Sequence, residues 1–136
     1  MPDRSTNDLI TNLRFRASWI DVCRIYITRL PKPEVKAFLQ DMMEVDQAAV
    51  DELARALRKL DVPPASVGID NTLVSQVKTR RTWTPRLRFI EQGLATSTAW
   101  YQTKLAEPRN PHQTLWQELY EQQLTLAEKL DQIVSS

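Results

Sequence analysis

Four stretches of this chain repeat apolar residues every three or four positions, and each begins or ends at a proline. Spacings of three and four draw a single stripe along an α-helix, whereas proline stops a helix interior but fits its first turn. The first stripe is Leu9, Leu13, Ala17, Ile20, Cys23, Ile27 and Leu30, with Ser5 or Thr6 placed to cap it. Pro31 and Pro33 end that helix and start the next, whose stripe is Val35, Leu39, Met42, Asp46, Ala49, Leu53, Leu57 and Leu60. Thr84 before Pro85 is a third start signal, followed by Leu87, Ile90, Leu94, Thr98, Tyr101 and Leu105. Asn110 before Pro111 is the fourth, followed by Leu115 or Trp116, Leu119, Gln123, Leu126, Leu130 and Ile133.

The spacing therefore predicts helices over about 6–30, 33–60, 85–107 and 110–134, each roughly 33–42 Å long at 1.5 Å per residue. Short breaks near residues 31–33 and 108–110 force antiparallel neighbours. The segment 61–84 opens on the breaker cluster Asp61-Val-Pro-Pro-Ala-Ser-Val-Gly68 and is long enough to carry the chain back along a bundle. A structureless loop of that length is uncommon, so one or two helical turns are expected near Thr72 to Val77. The expected architecture is all-α: one domain over 1–136, an antiparallel four-helix bundle with a single long crossover between its second and third helices. With only two glycines, and no Asn-Gly or Asp-Gly pair, the chain lacks the turns that a β-sandwich needs.

A net charge of +1 gives no general electrostatic reason to bind nucleic acid, anionic lipid or acidic substrates, so any such binding must be local. One cysteine and one histidine exclude an internal disulfide and a structural Cys/His zinc site. The absence of a long apolar run speaks against a membrane span, and the first residues do not read as a secretion signal, so a cytoplasmic protein is expected. Cys23 lies on an apolar stripe, and the lone His112 is expected to be exposed near the start of its helix. Together they do not compose a nucleophile with its base. No glycine-rich phosphate loop occurs.

Pro-Glu-Val-Lys-Ala-Phe-Leu-Gln-Asp-Met-Met-Glu-Val-Asp-Gln-Ala-Ala-Val-Asp-Glu-Leu (33–53) resembles the second helix of small bacterial ferritin-like bundle proteins of unknown function. Ala99-Trp-Tyr-Gln-Thr-Lys-Leu-Ala-Glu-Pro, with Leu115-Trp-Gln-Glu-Leu and Leu130, is similar to their third and fourth helices. Oxidative members of that superfamily hold two metals with a carboxylate from each of two helices and Glu-x-x-His from each of the other two. The resemblance places Asp46 and Ala49 at one such pair of positions, Gln123 and Leu126 at the other, and Trp19 and Leu94 at the lone carboxylates. Only Asp46 is an anion, and iron, manganese or zinc needs several anionic or imidazole ligands. No cofactor is expected. A charge on an apolar stripe must find partners: Asp46 either sits at the edge or pairs with Arg16, Arg24 or Gln123, or it forms a mid-bundle polar pocket with Gln123 and Thr98.

Two surface features remain. Lys78, Arg80, Arg81, Arg86 and Arg88, with Trp83 among them, form a basic run without an acid from Asn71 to Ile90. These residues either pair with acids of the first two helices or contact phosphate or nucleic acid. A second stripe on the third helix, Phe89, Gly93, Thr96 and Trp100, is either covered by the crossover, with Trp83, Val74 and Val77 packing down, or is a dimer or partner surface. The leading functional expectation is a non-enzymatic ferritin-like bundle that has lost its metals and acts as a small interaction or stress-associated protein, self-associating. The alternatives are a metal-dependent oxidoreductase of the di-iron or manganese type, and a nucleic-acid or anion binder using residues 78–88.

Overall fold

A computed structural model describes residues 3–135. It contains five α-helices: α1 (Arg4–Ile27), α2 (Pro33–Lys59), the short α3 (Asn71–Ser75), α4 (Trp83–Ala106) and α5 (Gln113–Ser135). Among the described residues no strand occurs, and no helix is long and apolar enough to cross a membrane. The chain divides into two compact units, Met1–Thr79 and Arg80–Ser136.

In the first unit α1 packs along α2. Leu9, Leu13, Ile20, Cys23 and Tyr26 of α1 are buried, as are Val35, Phe38, Leu39, Met42, Ala49, Leu53 and Leu57 of α2. The buried face of α1 is wider than one apolar stripe: Trp19 and Val22 are also covered, Ala17 and Ile27 only half so, and Leu30 is 92% exposed. The segment that follows α2 supplies the extra cover. Its short helix α3 and the 3-10 turn Gln76–Thr79 pack on α1, while the 3-10 turn Pro64–Ser66 packs on α2. Ser18 ties it down by donating to the Arg14 carbonyl (2.6 Å) and accepting from the Asp70 N–H (2.8 Å), and Arg14 Nε donates to the Val67 carbonyl (3.3 Å). Between these anchors Gly68 takes φ +72°, a conformation open to a residue without Cβ. The helical turns expected near Thr72 to Val77 are present as α3 and the turn after it.

Local chemistry fixes the helix ends, and it moves several of the expected ones. Asp3, rather than Ser5 or Thr6, caps α1, accepting the Thr6 N–H at 2.8 Å. The helix stops at Ile27, three residues short of Leu30, and Leu30 takes φ +55°. At the end of α2 the Val62 N–H reaches the Leu57 carbonyl and the Asp61 N–H reaches that of Arg58, the paired bonds of a Schellman motif, with Asp61 at φ +60°. A side chain in this left-handed region costs about 1–2 kcal/mol, part of which glycine recovers. Leu30→Gly and Asp61→Gly are each expected to raise stability by about 1 kcal/mol, with Leu30→Ala giving no gain. Thermal unfolding of the three variants checks this, and a Leu30→Gly midpoint no higher than that of Leu30→Ala would refute it.

In the second unit α4 packs along α5. Ile90, Leu94 and Tyr101 are buried in α4, and Trp116, Leu119, Leu126 and Leu130 in α5. Thr82 rather than Thr84 is the N-cap of α4, which places Pro85 inside the first turn. The helix α5 starts at Gln113, three residues after Asn110, because side chains build the corner between the two helices. Asn110 Oδ1 accepts the His112 N–H (2.9 Å) and the Trp116 indole N–H (3.2 Å). The Gln113 side-chain amide donates to the carbonyls of Lys104, Leu105 and Glu107 (3.4, 3.3 and 3.0 Å), groups that the end of a helix leaves without partners.

Candidate functional site

The sharpest polar feature of the first unit lies midway along α1 and α2. Arg16 Nε donates to Asp46 Oδ1 at 2.7 Å, and both side chains are 1% exposed. The two residues are equidistant in sequence from Pro31, so folding α1 back on α2 at that proline brings them to the same level. Asp46 is the only buried carboxylate among the described residues, and its Oδ2 has no hydrogen-bond partner in the structure. Burial pushes its carboxyl above the usual carboxylate range, while the Arg16 charge and hydrogen bond pull it back down. Cys23 is fully buried, and burial together with the Asp46 charge raises its thiol well above the ordinary value, so it stays protonated and packs as a small apolar residue.

This geometry answers the question about Asp46: its partner is Arg16. Of the residues read as a possible polar pocket, Asp46 belongs to the first unit and Gln123 and Thr98 to the second. The Thr98 hydroxyl turns back onto its own helix and donates to the Ala95 carbonyl (3.0 Å), whereas Gln123 is buried with its amide nitrogen unpartnered. The other positions singled out by the ferritin-like resemblance are Trp19, Ala49, Leu94 and Leu126, and all four are buried. Among the described residues no group of three or more His, Cys, Asp and Glu gathers to hold a metal ion. His112 is half-buried rather than exposed, edge-on to Trp116 with ring centroids 6.1 Å apart.

The basic run divides by role. The Arg80 guanidinium lies 4.1 Å over the Phe89 ring, and that of Arg86 lies 4.9 Å over Trp83. Arg86 also donates to the carbonyls of Arg80 (3.0 Å) and Arg81 (3.2 Å). Both arginines are half-buried, while Lys78, Arg81 and Arg88 are exposed.

The stripe read as either covered or a partner surface is buried at Phe89 and Gly93 and exposed at Thr96. Phe89 is 8% exposed beneath Arg80, Gly93 is buried, and Trp100 is half-buried among Tyr101 (5.4 Å), Trp116 (5.1 Å) and the Lys104 ammonium (5.2 Å). Val77 belongs to the turn that packs on α1. Lys104 is itself buried, paired with Glu107 at 3.3 Å.

Sequence reasoning offered Arg16 as a partner for Asp46 without placing it in the core, and passed over Asn12 and Lys104 as core residues. A signal existed for the first two: Leu9, Asn12, Arg16, Trp19, Cys23 and Tyr26 keep the three-four spacing, but two polar members hide the stripe from a search for apolar residues. No family model, curated protein or solved structure matches the chain.

Proposed function

We propose that this is a non-enzymatic protein, a ferritin-like helical bundle in kind, that works by binding through its surface and holds no metal pair. The observation that carries this reading is the Arg16 guanidinium seated on Asp46. A fixed positive charge at 2.7 Å repels a divalent cation from the one buried carboxylate, and a metal that displaced it would leave Arg16 buried without its counter-charge. The other residues standing where the resemblance would place ligands are an amide, an indole, an alanine and two leucines, which do not fit a di-metal pair.

Metal analysis tests the proposal. Protein purified from cells supplied with iron and manganese is expected to carry well under one equivalent of either per chain. About two equivalents that survive dialysis and are lost in Asp46→Ala would overturn it in favour of a metal-dependent oxidoreductase.

A further inference from the structure

The apolar stripe of α1 runs on through Ile27 to Leu30, and a proline at 31 allows a helix to continue that far. The helix nonetheless stops at Ile27. Its last turn is tightened: the Thr28 and Arg29 N–H groups donate to the carbonyls of Ile25 and Tyr26 (3.1 and 3.0 Å), three residues back rather than four. Leu30 is left 92% exposed at φ +55°, so an apolar side chain meets water in a left-handed conformation that its Cβ opposes. Neither burial nor backbone preference at this residue favours the observed end of α1. A contact elsewhere in the first unit must hold the helix at this level.

Apolar side chains between α1 and α2 fix that level poorly, because apolar contact is non-directional and repacks at modest cost. The Arg16–Asp46 bond is directional, 2.7 Å long, 1% exposed on both sides and midway along the two helices. Extending α1 over Thr28, Arg29 and Leu30 would lengthen it by about 4.5 Å at 1.5 Å per residue. A slide of that size along α2 would leave each charge buried without the other, a loss larger than the gain at Leu30. We propose that the Arg16–Asp46 pair is a register latch: it holds α1 short of its full length, and neutralising both residues together lets α1 extend to Leu30 and slide along α2 until Leu30 is covered. In the released state the Leu30 N–H takes the Tyr26 carbonyl and the Arg29 N–H that of Ile25, the ordinary bonds of an α-helix. The bonds from Arg14 to Val67 and from Asp70 to Ser18 restrain the same slide less, since Gly68 between their far ends lets that segment follow. The latch acts within the first unit, whatever partner the surface takes.

The test compares the full parent chain with Arg16→Met/Asp46→Leu, by amide hydrogen exchange and by adding Leu30→Gly to each. In the parent the Leu30 amide lies outside the helix and is expected to exchange near the rate of an open chain. In the neutral pair it is expected to exchange slower by about tenfold or more, as an amide inside a helical turn does. Leu30→Gly is expected to raise the thermal midpoint of the parent, by relieving the left-handed residue, and to lower that of the neutral pair, by removing a covered side chain. Unchanged exchange at Leu30, or a Leu30→Gly shift of the same sign in both backgrounds, would overturn the proposal. Arg16→Leu/Asp46→Leu repeats the comparison where the first pair does not unfold cooperatively. Failure of both neutral pairs to fold would overturn it as well, because a latch requires that apolar contacts alone hold α1 to α2.

Discussion

Asp46→Leu is expected to lower folding stability by about 3–5 kcal/mol, and Arg16→Met combined with Asp46→Leu to restore the parent stability or exceed it. Removing the carboxylate alone strands a guanidinium with 1% exposure and takes away the acceptor of its 2.7 Å bond. Removing both charges abolishes two desolvation penalties and leaves apolar side chains of similar bulk between α1 and α2. Asp46→Asn should cost much less than Asp46→Leu, because an amide oxygen still accepts from Arg16. The direction of the Asp46 shift agrees with this, since burial already favours the neutral carboxyl. A carboxyl raised in the folded state binds its proton more readily there than in the unfolded chain, where it titrates near 3.9. Its contribution to stability is therefore full below that value and falls as pH rises through the native one. Urea unfolding of the parent and Asp46→Asn from pH 4 to 8 should show the parent losing stability relative to the variant across that window. A double variant no more stable than Asp46→Leu would mean that the pair is not what couples α1 to α2.

The elements were legible in the sequence because their determinants are local. Proline pairs and three-four spacing located the four long helices to within a few residues, and the length of the segment after the second pointed to the short one. The errors at the ends came from side chains acting over three to six residues. Asp3 caps α1 from outside the apolar pattern, and Asn110 and Gln113 together delay α5 by bonding to groups on both sides of the corner. The candidate site was legible only as a question. Asp46 advertised itself as a charge on an apolar stripe and Arg16 stood among the partners it could take, but the choice between them, and the burial of Arg16, depended on how α1 lies against α2. The covering of Phe89 was likewise hidden, since a guanidinium lying over a ring carries no signature in periodicity. Where geometry depended on pairing two helices, composition was silent; where it depended on one turn of backbone, the residues spoke plainly.

Trp116→Ala is expected to cost about 3–5 kcal/mol, the range for emptying a buried tryptophan site. The indole is fully buried and sits among Trp100, Tyr101 and His112, with centroids at 5.1, 5.9 and 6.1 Å, while its N–H is held by Asn110. Truncation would remove the ring contacts, open a cavity beside Tyr101, and take one of two donors from Asn110 Oδ1, the atom that also fixes the His112 N–H at the start of α5. Trp116→Phe separates these effects: a smaller ring keeps most of the packing and loses the indole hydrogen bond, for a cost nearer 1–2 kcal/mol. Asn110→Ala removes the acceptor from both donors and should fall between the two tryptophan variants. Near-ultraviolet circular dichroism reports the same cluster directly, because edge-on indole rings couple strongly, and Trp116→Ala should abolish most of that signal even where the far-ultraviolet spectrum is unchanged. Should Trp116→Ala unfold at the same urea concentration as the parent, the corner would be held by Gln113 on the α4 carbonyls rather than by the aromatic cluster, and Gln113→Ala would then carry the larger loss.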